Sequence, residues 1–111
     1  MNSNEVMHLV RRQIAGRSSL PNSHGVVLGN CLVRPTRIKV INRIVQEGKI
    51  RDSVETVWLV LEENPHEKDG YKVVFSEQQG MFGLASVGFE TDQHPVLCGF
   101  YGDFPTTLSS M

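Results

Sequence analysis

Apolar positions recur at helical spacing near the start of the chain, where Val6, Leu9, Val10 and Ile14 fall on one stripe. The spacing predicts a helix over residues 4–16, capped by Asn2, Ser3 or Asn4 and ended by Gly16. Arg11 and Arg12 stand in its later turns, where the helix dipole favours cations. Residues 18–25, with the breakers Pro21 and Gly25, three Ser and Asn22, read as a loop. Residues 26–33 fit a short strand or a single helical block closed before Pro35, and the helical block is preferred.

After Pro35 the period changes to two. Ile38, Val40 and Ile44 fall on one side of a predicted strand over residues 37–45, with Lys39 and Arg43 on the other. Gln46-Glu47-Gly48-Lys49 makes a turn. The next strand, residues 54–63, carries Val57, Leu59 and Leu61 on one face and Thr56, Trp58 and Val60 on the opposite one, so it belongs in the covered middle of a sheet. Asn64 to Gly70 breaks it, and two further strands, residues 71–75 and 81–85, follow with Gly80 suited to the left-handed position of the connecting loop. Short connections cannot join parallel neighbours, so these four strands form an antiparallel meander. The segment from Cys98 to Pro105, with three aromatic residues and two glycines, reads as a tail pinned to the sheet or as a ligand loop, the first preferred. Asp103 before Pro105 opens a last helical turn through Leu108 to Met111. The expected fold is a single α+β domain over residues 1–111: a twisted antiparallel sheet of four or five strands with an N-terminal helix and a short C-terminal helix. Its core should contain Leu9, Ile38, Val40, Val57, Leu59, Leu61, Val73, Phe75, Phe82 and Leu84.

Composition adds boundaries. With 111 residues there is room for one domain, and 40% apolar with 21% charged residues is ordinary for a globular chain. No apolar run approaches the roughly 20 residues that span a bilayer, and Met1 to Glu5 lack the pattern of a secretory signal. The expected compartment is the cytoplasm, with Cys31 and Cys98 as separate thiols; a disulfide would need an oxidising compartment.

The net charge of −1 conceals a division along the chain. Residues 1–51 hold nine basic groups against two acids, a net of +7, and residues 52–111 hold two against ten, a net of −8. Such asymmetry either neutralises itself between facing strands or serves an electrostatic partner. Glu62, Glu63, Glu67 and Asp69 gather at the end of the central strand and the loop beyond it, with Glu77 on the hairpin at the other end. These five are the candidate partner-binding residues, because charged loops on a rigid sheet present a surface and a negative patch steers a basic partner.

Chemistry is harder to find. Cys31 and His24 lie seven positions apart, a spacing that does not by itself guarantee contact between a nucleophile and a base. His8, His24, His66 and His94 are scattered singly, without metal-ligand spacing. Neither glycine-rich phosphate motif is present, and Glu62 and Glu63, as strand neighbours, point to opposite faces. No catalytic residue, metal or cofactor is expected. The basic half lacks interleaved aromatics and the whole chain is slightly acidic, so direct nucleic-acid binding is not the preferred class.

Five segments carry a resemblance: Ser23-His24-Gly25, the run from Val57 to Glu63, Asp69-Gly70-Tyr71, the run from Gly80 to Ala85, and Gly99 to Phe104 continuing to Met111. In this order they resemble small immunity proteins of bacterial contact-dependent growth inhibition. The resemblance covers most of residues 20–111, is weak over the first helix, and concerns segments of structural character. It implies a cytoplasmic antitoxin that binds the C-terminal toxin domain delivered by a neighbouring cell, frequently a nuclease, and blocks its active or substrate-binding surface. No contact residue carries over from the resemblance. The readings kept beside it are a small nucleic-acid-binding or regulatory adaptor, and a small enzyme using Cys31 or a histidine.

Overall fold

The computed structural model describes residues 1–15, 25–26, 28–67, 69–89 and 91–111. The predicted stop at Gly16, the loop over residues 18–24 with His24, and Arg17, Lys68 and Glu90 lie outside the described residues.

The first helix, α1 (Ser3–Ile14), starts where the sequence places its caps. The Asn2 side chain accepts from the Glu5 backbone N–H at 2.9 Å, and the Glu5 carboxylate accepts from the Asn2 N–H at 2.9 Å. This reciprocal box satisfies two donors that a helix end leaves without partners. Val6 and Val10 are buried, and Leu9 and Ile14 flank them against the same core.

A single helical turn, α2 (Leu28–Cys31), runs straight into the strand β1 (Leu32–Gln46). The helical reading of residues 26–33 therefore holds for four of them, and Pro35 does not mark the boundary expected of it. The β1–β2 register is irregular between Leu32 and Thr36, so Pro35 sits where the ladder is already interrupted and its missing N–H costs nothing.

The strands β2 (Lys49–Asn64), β3 (Asp69–Ser76) and β4 (Met81–Ser86) continue the expected antiparallel meander. Glu47 and Gly48 both have positive φ, 53° and 72°, the two-residue turn whose twist matches the strands it joins. A fifth strand, β5 (Val96–Gly102), forms from the aromatic tail, and it changes the architecture. It pairs antiparallel with β4 and parallel with β1 at Ile41 and Val96, so the sheet closes into a barrel and is not an open antiparallel sheet. The Ile41 N–H donates to the Pro95 carbonyl at 2.8 Å across this seam. Gly83 permits the closure: a Cβ there would lie 2.5 Å from the Gly99 carbonyl oxygen.

Two cores result. Val40, Val57, Val74 and Ala85, with Ile38, Leu59 and Leu97 beside them, come from all five strands and fill the barrel. The second core lies outside the barrel wall, where α1 and the C-terminal helix α3 (Phe104–Ser109) cover Trp58, Val60, Leu61, Val73, Phe75, Phe82 and Leu84. Phe82 sits between Phe75 and Phe104, with ring centroids 4.8 and 5.6 Å away. Asp103 caps α3 by accepting from the Thr106 N–H at 2.8 Å, and the Phe104 N–H donates to the Gln13 side chain of α1.

One local feature reorders the predicted faces. Between Leu59 and Leu61 the β2–β3 register shifts, two residues of β2 passing one of β3. Such a bulge reverses side-chain parity beyond it. Leu61 therefore leaves the face it was expected to share with Val57 and Leu59 and joins the helix-covered core.

A candidate protein-binding surface

The same bulge decides the fate of the acidic cluster. Beyond it Glu62 turns inward and is 3% exposed, its carboxylate 3.1 Å from the Lys72 ammonium. Glu63 is half-buried, and its side chain accepts from the Tyr71 N–H at 3.0 Å. Glu62 and Glu63 thus serve the interior and do not form a free negative patch. Glu67 and Asp69 remain exposed, although Asp69 accepts from the Asn64 amide at 2.8 Å. Glu77, at the other end as predicted, accepts from the Trp58 indole N–H at 2.6 Å and lies 3.3 Å from the chain's amino group. These two donors, the indole first, hold its carboxyl below the ordinary range. A cleft of about 560 Å³ does open beside the remaining acids, with Gly29 and Asn30 on one side and His66 and Glu67 on the other.

The charge division is partly internal, as facing strands allow. Arg43 on β1 donates to both oxygens of Asp52 on β2 and to both oxygens of Asp92 in the segment before β5, at 2.8 to 3.2 Å. Its guanidinium also lies 5.5 Å from the Phe89 ring centroid. The hydrogen bonds from Arg43 hold Asp52 and Asp92 below the usual carboxylate range, helped at Asp92 by the Phe89 N–H.

Sequence reasoning missed the largest surface feature. β2 meets β3 only from Trp58 onward, and β1 meets β5 only at Ile41. Residues 42–56 therefore form a two-stranded arm extending past the barrel, in a molecule 45 Å long and 23 to 28 Å across. Register assigns its faces: the pairs Ile41 and Val54, Arg43 and Asp52, Val45 and Ile50 share one side, and Asn42 and Ser53, Ile44 and Arg51, Gln46 and Lys49 share the other. On the first side Val45, Ile50 and Val54 are 71%, 63% and 58% exposed, and Phe89, drawn in by Arg43, is 69% exposed. A strip of large apolar side chains left to water is the usual mark of a binding surface. The signal was present in the alternation of residues 44–54, which continues beyond the length a small barrel can cover.

Chemistry remains sparse among the described residues. The Cys31 thiol is buried and donates to the Glu63 carbonyl at 3.6 Å, while His24, its conceivable base, lies outside them. No group of three or more His, Cys, Asp or Glu among the described residues could hold a metal ion, and no helix there is long and apolar enough to cross a membrane. No family model, curated protein or solved structure matches the chain.

Proposed function

We propose that the protein works by binding another protein, and that this partner is a toxin domain of the kind its resemblance to immunity proteins implies. The observation that carries the reading is the apolar strip of Val45, Ile50, Val54 and Phe89 on a projecting arm. A partner covering those four side chains would gain hydrophobic burial at small ordering cost, because Arg43 already holds Phe89 and the strands in place. Inhibition would follow from occlusion: an arm laid across the mouth of an active site excludes substrate without chemistry of its own. The action would be cytoplasmic, where a delivered toxin reaches its target. Charge has a smaller part than the sequence suggested, confined to Glu67 and Asp69 as a steering patch for a basic nuclease.

The test is co-expression with the protein encoded immediately upstream. A complex and restored growth are expected, and Ile50→Ser with Val54→Ser should weaken the complex at least tenfold while the fold is kept. Absence of both complex and rescue would sink the reading. A nucleic-acid adaptor is favoured by one observation, the exposed Arg37, Lys39, Lys49 and Arg51 along the same ribbon. It predicts binding to duplex that falls steeply with salt, and a flat or absent signal removes it.

A further inference from the structure

The two edges of the arm differ. The outer edge of β1 is flanked by the segment held through Arg43 and Asp92, whereas among the described residues β2 has no strand beside it before Trp58. In a two-residue hairpin the pairs alternate between hydrogen-bonded and non-hydrogen-bonded, beginning with a bonded pair at Gln46 and Lys49. By that alternation Lys49, Arg51, Ser53 and Glu55 direct their backbone groups to β1. Ile50, Asp52 and Val54 direct theirs outward, with no strand partner among the described residues. An open edge of this kind is a template for another strand.

The side chains say which strand fits. Glu55 faces the barrel interior beside Val40, and its Oε2 is buried with no hydrogen-bond partner. Arg51, on the same face of β2 and four residues away, is exposed and makes no ion pair among the described residues. Neither can satisfy the other within one chain, since they lie along the same strand. If a second β2 is set antiparallel against the first about a two-fold axis at Ser53, Arg51 of each copy falls opposite Glu55 of the other. Those positions are non-hydrogen-bonded pairs, where cross-strand side chains come closest. The outward groups of Asp52 and Val54 meet those of Val54 and Asp52 in the other copy. Other centres fit less well: the axis at Asp52 or Arg51 opposes like charges, and at Val54 it leaves both Arg51 and Glu55 without an opposite charge.

We infer that the free edge of β2 pairs with a second copy of this chain over residues 51–55, forming a two-fold dimer with reciprocal Arg51–Glu55 ion pairs. The pairing ends at Thr56, where Glu77 and Gln78 flank the strand. It uses the edge of the arm and leaves the apolar strip open, so it stands independently of the partner proposed above.

Sedimentation equilibrium of the chain alone tests it. A concentration-dependent species of twice the 12.4 kDa chain mass is expected, and Arg51→Glu should weaken the dimer at least tenfold. Glu55→Arg alone should do the same, and the double variant, R51E with E55R, should recover dimerisation because the opposite charges are restored in reversed order. Because Glu55→Arg disturbs a partly buried site, a second measurement avoids it. Ser53→Cys in a Cys98→Ser background should give an intermolecular disulfide under mild oxidation, and Lys49→Cys in the same background should not. A chain that stays monomeric at millimolar concentration, a dimer indifferent to Arg51→Glu, or cross-linking equal at both positions would overturn the inference.

Discussion

Two strands of this molecule lead different lives along their own length. Over residues 32–41 and 57–64, β1 and β2 are barrel wall: Ile38, Val40, Val57 and Leu59 face the interior, and Trp58, Val60 and Leu61 of β2 lie in the helix-covered core. Over residues 42–56 the same ribbon continues with the same alternation, and its apolar side chains meet solvent. The register is unbroken along the arm and interrupted only in the barrel stretch, so exposure does not follow from irregular backbone; the difference is what stands next to it. Secondary structure is set locally by register and turn, whereas burial is set by how far the neighbouring strands reach. Where β3 and β5 stop, a structural ribbon becomes a presented one.

Substitutions in the body should therefore act on stability and those in the arm on recognition. The largest loss is expected for Phe82→Ala, which empties the site between Phe75 and Phe104; it should cost about 4 kcal/mol in denaturant unfolding. Lys72→Met removes the cation beside the buried Glu62 carboxylate and should cost about 3 kcal/mol. A milder effect is expected from acid. Asp52, Asp92 and Glu77 have folded pKa values below their ordinary values of 3.8, 3.8 and 4.5. The stability they lend is fully present above that range and is lost as pH falls through the lower folded values. Trp58 is the sole tryptophan, so its fluorescence should shift with an apparent pKa below 4.5 as Glu77 takes up its proton. Hydrogen exchange in residues 87–95 should accelerate over the same acid range as the Arg43 clamp opens. A midpoint at or above the ordinary carboxylate values would show that these contacts are not made in solution. Smallest of all for stability is Ile50→Ser with Val54→Ser, expected to stay within about 0.5 kcal/mol of the parent. A loss of several kcal/mol there would mean that the arm is part of the body after all.

Much of the fold was legible because local signals agreed: the Asn2 cap, the Glu47-Gly48 turn, the two apolar faces of Val57 to Val60, the turn at Gly80 and the Asp103 cap. Seven of the ten expected core residues are buried, and Leu9, Ile38 and Leu59 pack at the margins. What could not be read was long-range. Nothing in the run from Cys98 to Phe104 announces a closing strand, because Gly99 and Gly102 weaken the alternation. No residue type betrays the bulge after Leu59, yet it moves Leu61 to the other core and draws Glu62 indoors. The acidic cluster is dispersed for that reason: the change of parity sets Glu62 beside Lys72, where it is buried, and Glu67 and Asp69 stay exposed. The arm was hidden by the opposite problem, since alternation that signals a buried face does not say where the covering element ends.

The barrel's seam has a consequence for how the chain reaches its final form. Each neighbouring pair in the β1–β4 meander is joined by a short turn, so those ladders form at little loop-closure cost. The seam joins Ile41 to Val96, 55 residues apart, through a single parallel pair. It should be the last ladder to assemble and the first to release, so the backbone amide of Ile41 should exchange faster than those of Val73 and Val74 despite its burial. While the seam is open, Val40 and Leu97 are uncovered together with the arm, and the nascent molecule presents a longer apolar ribbon than the finished one.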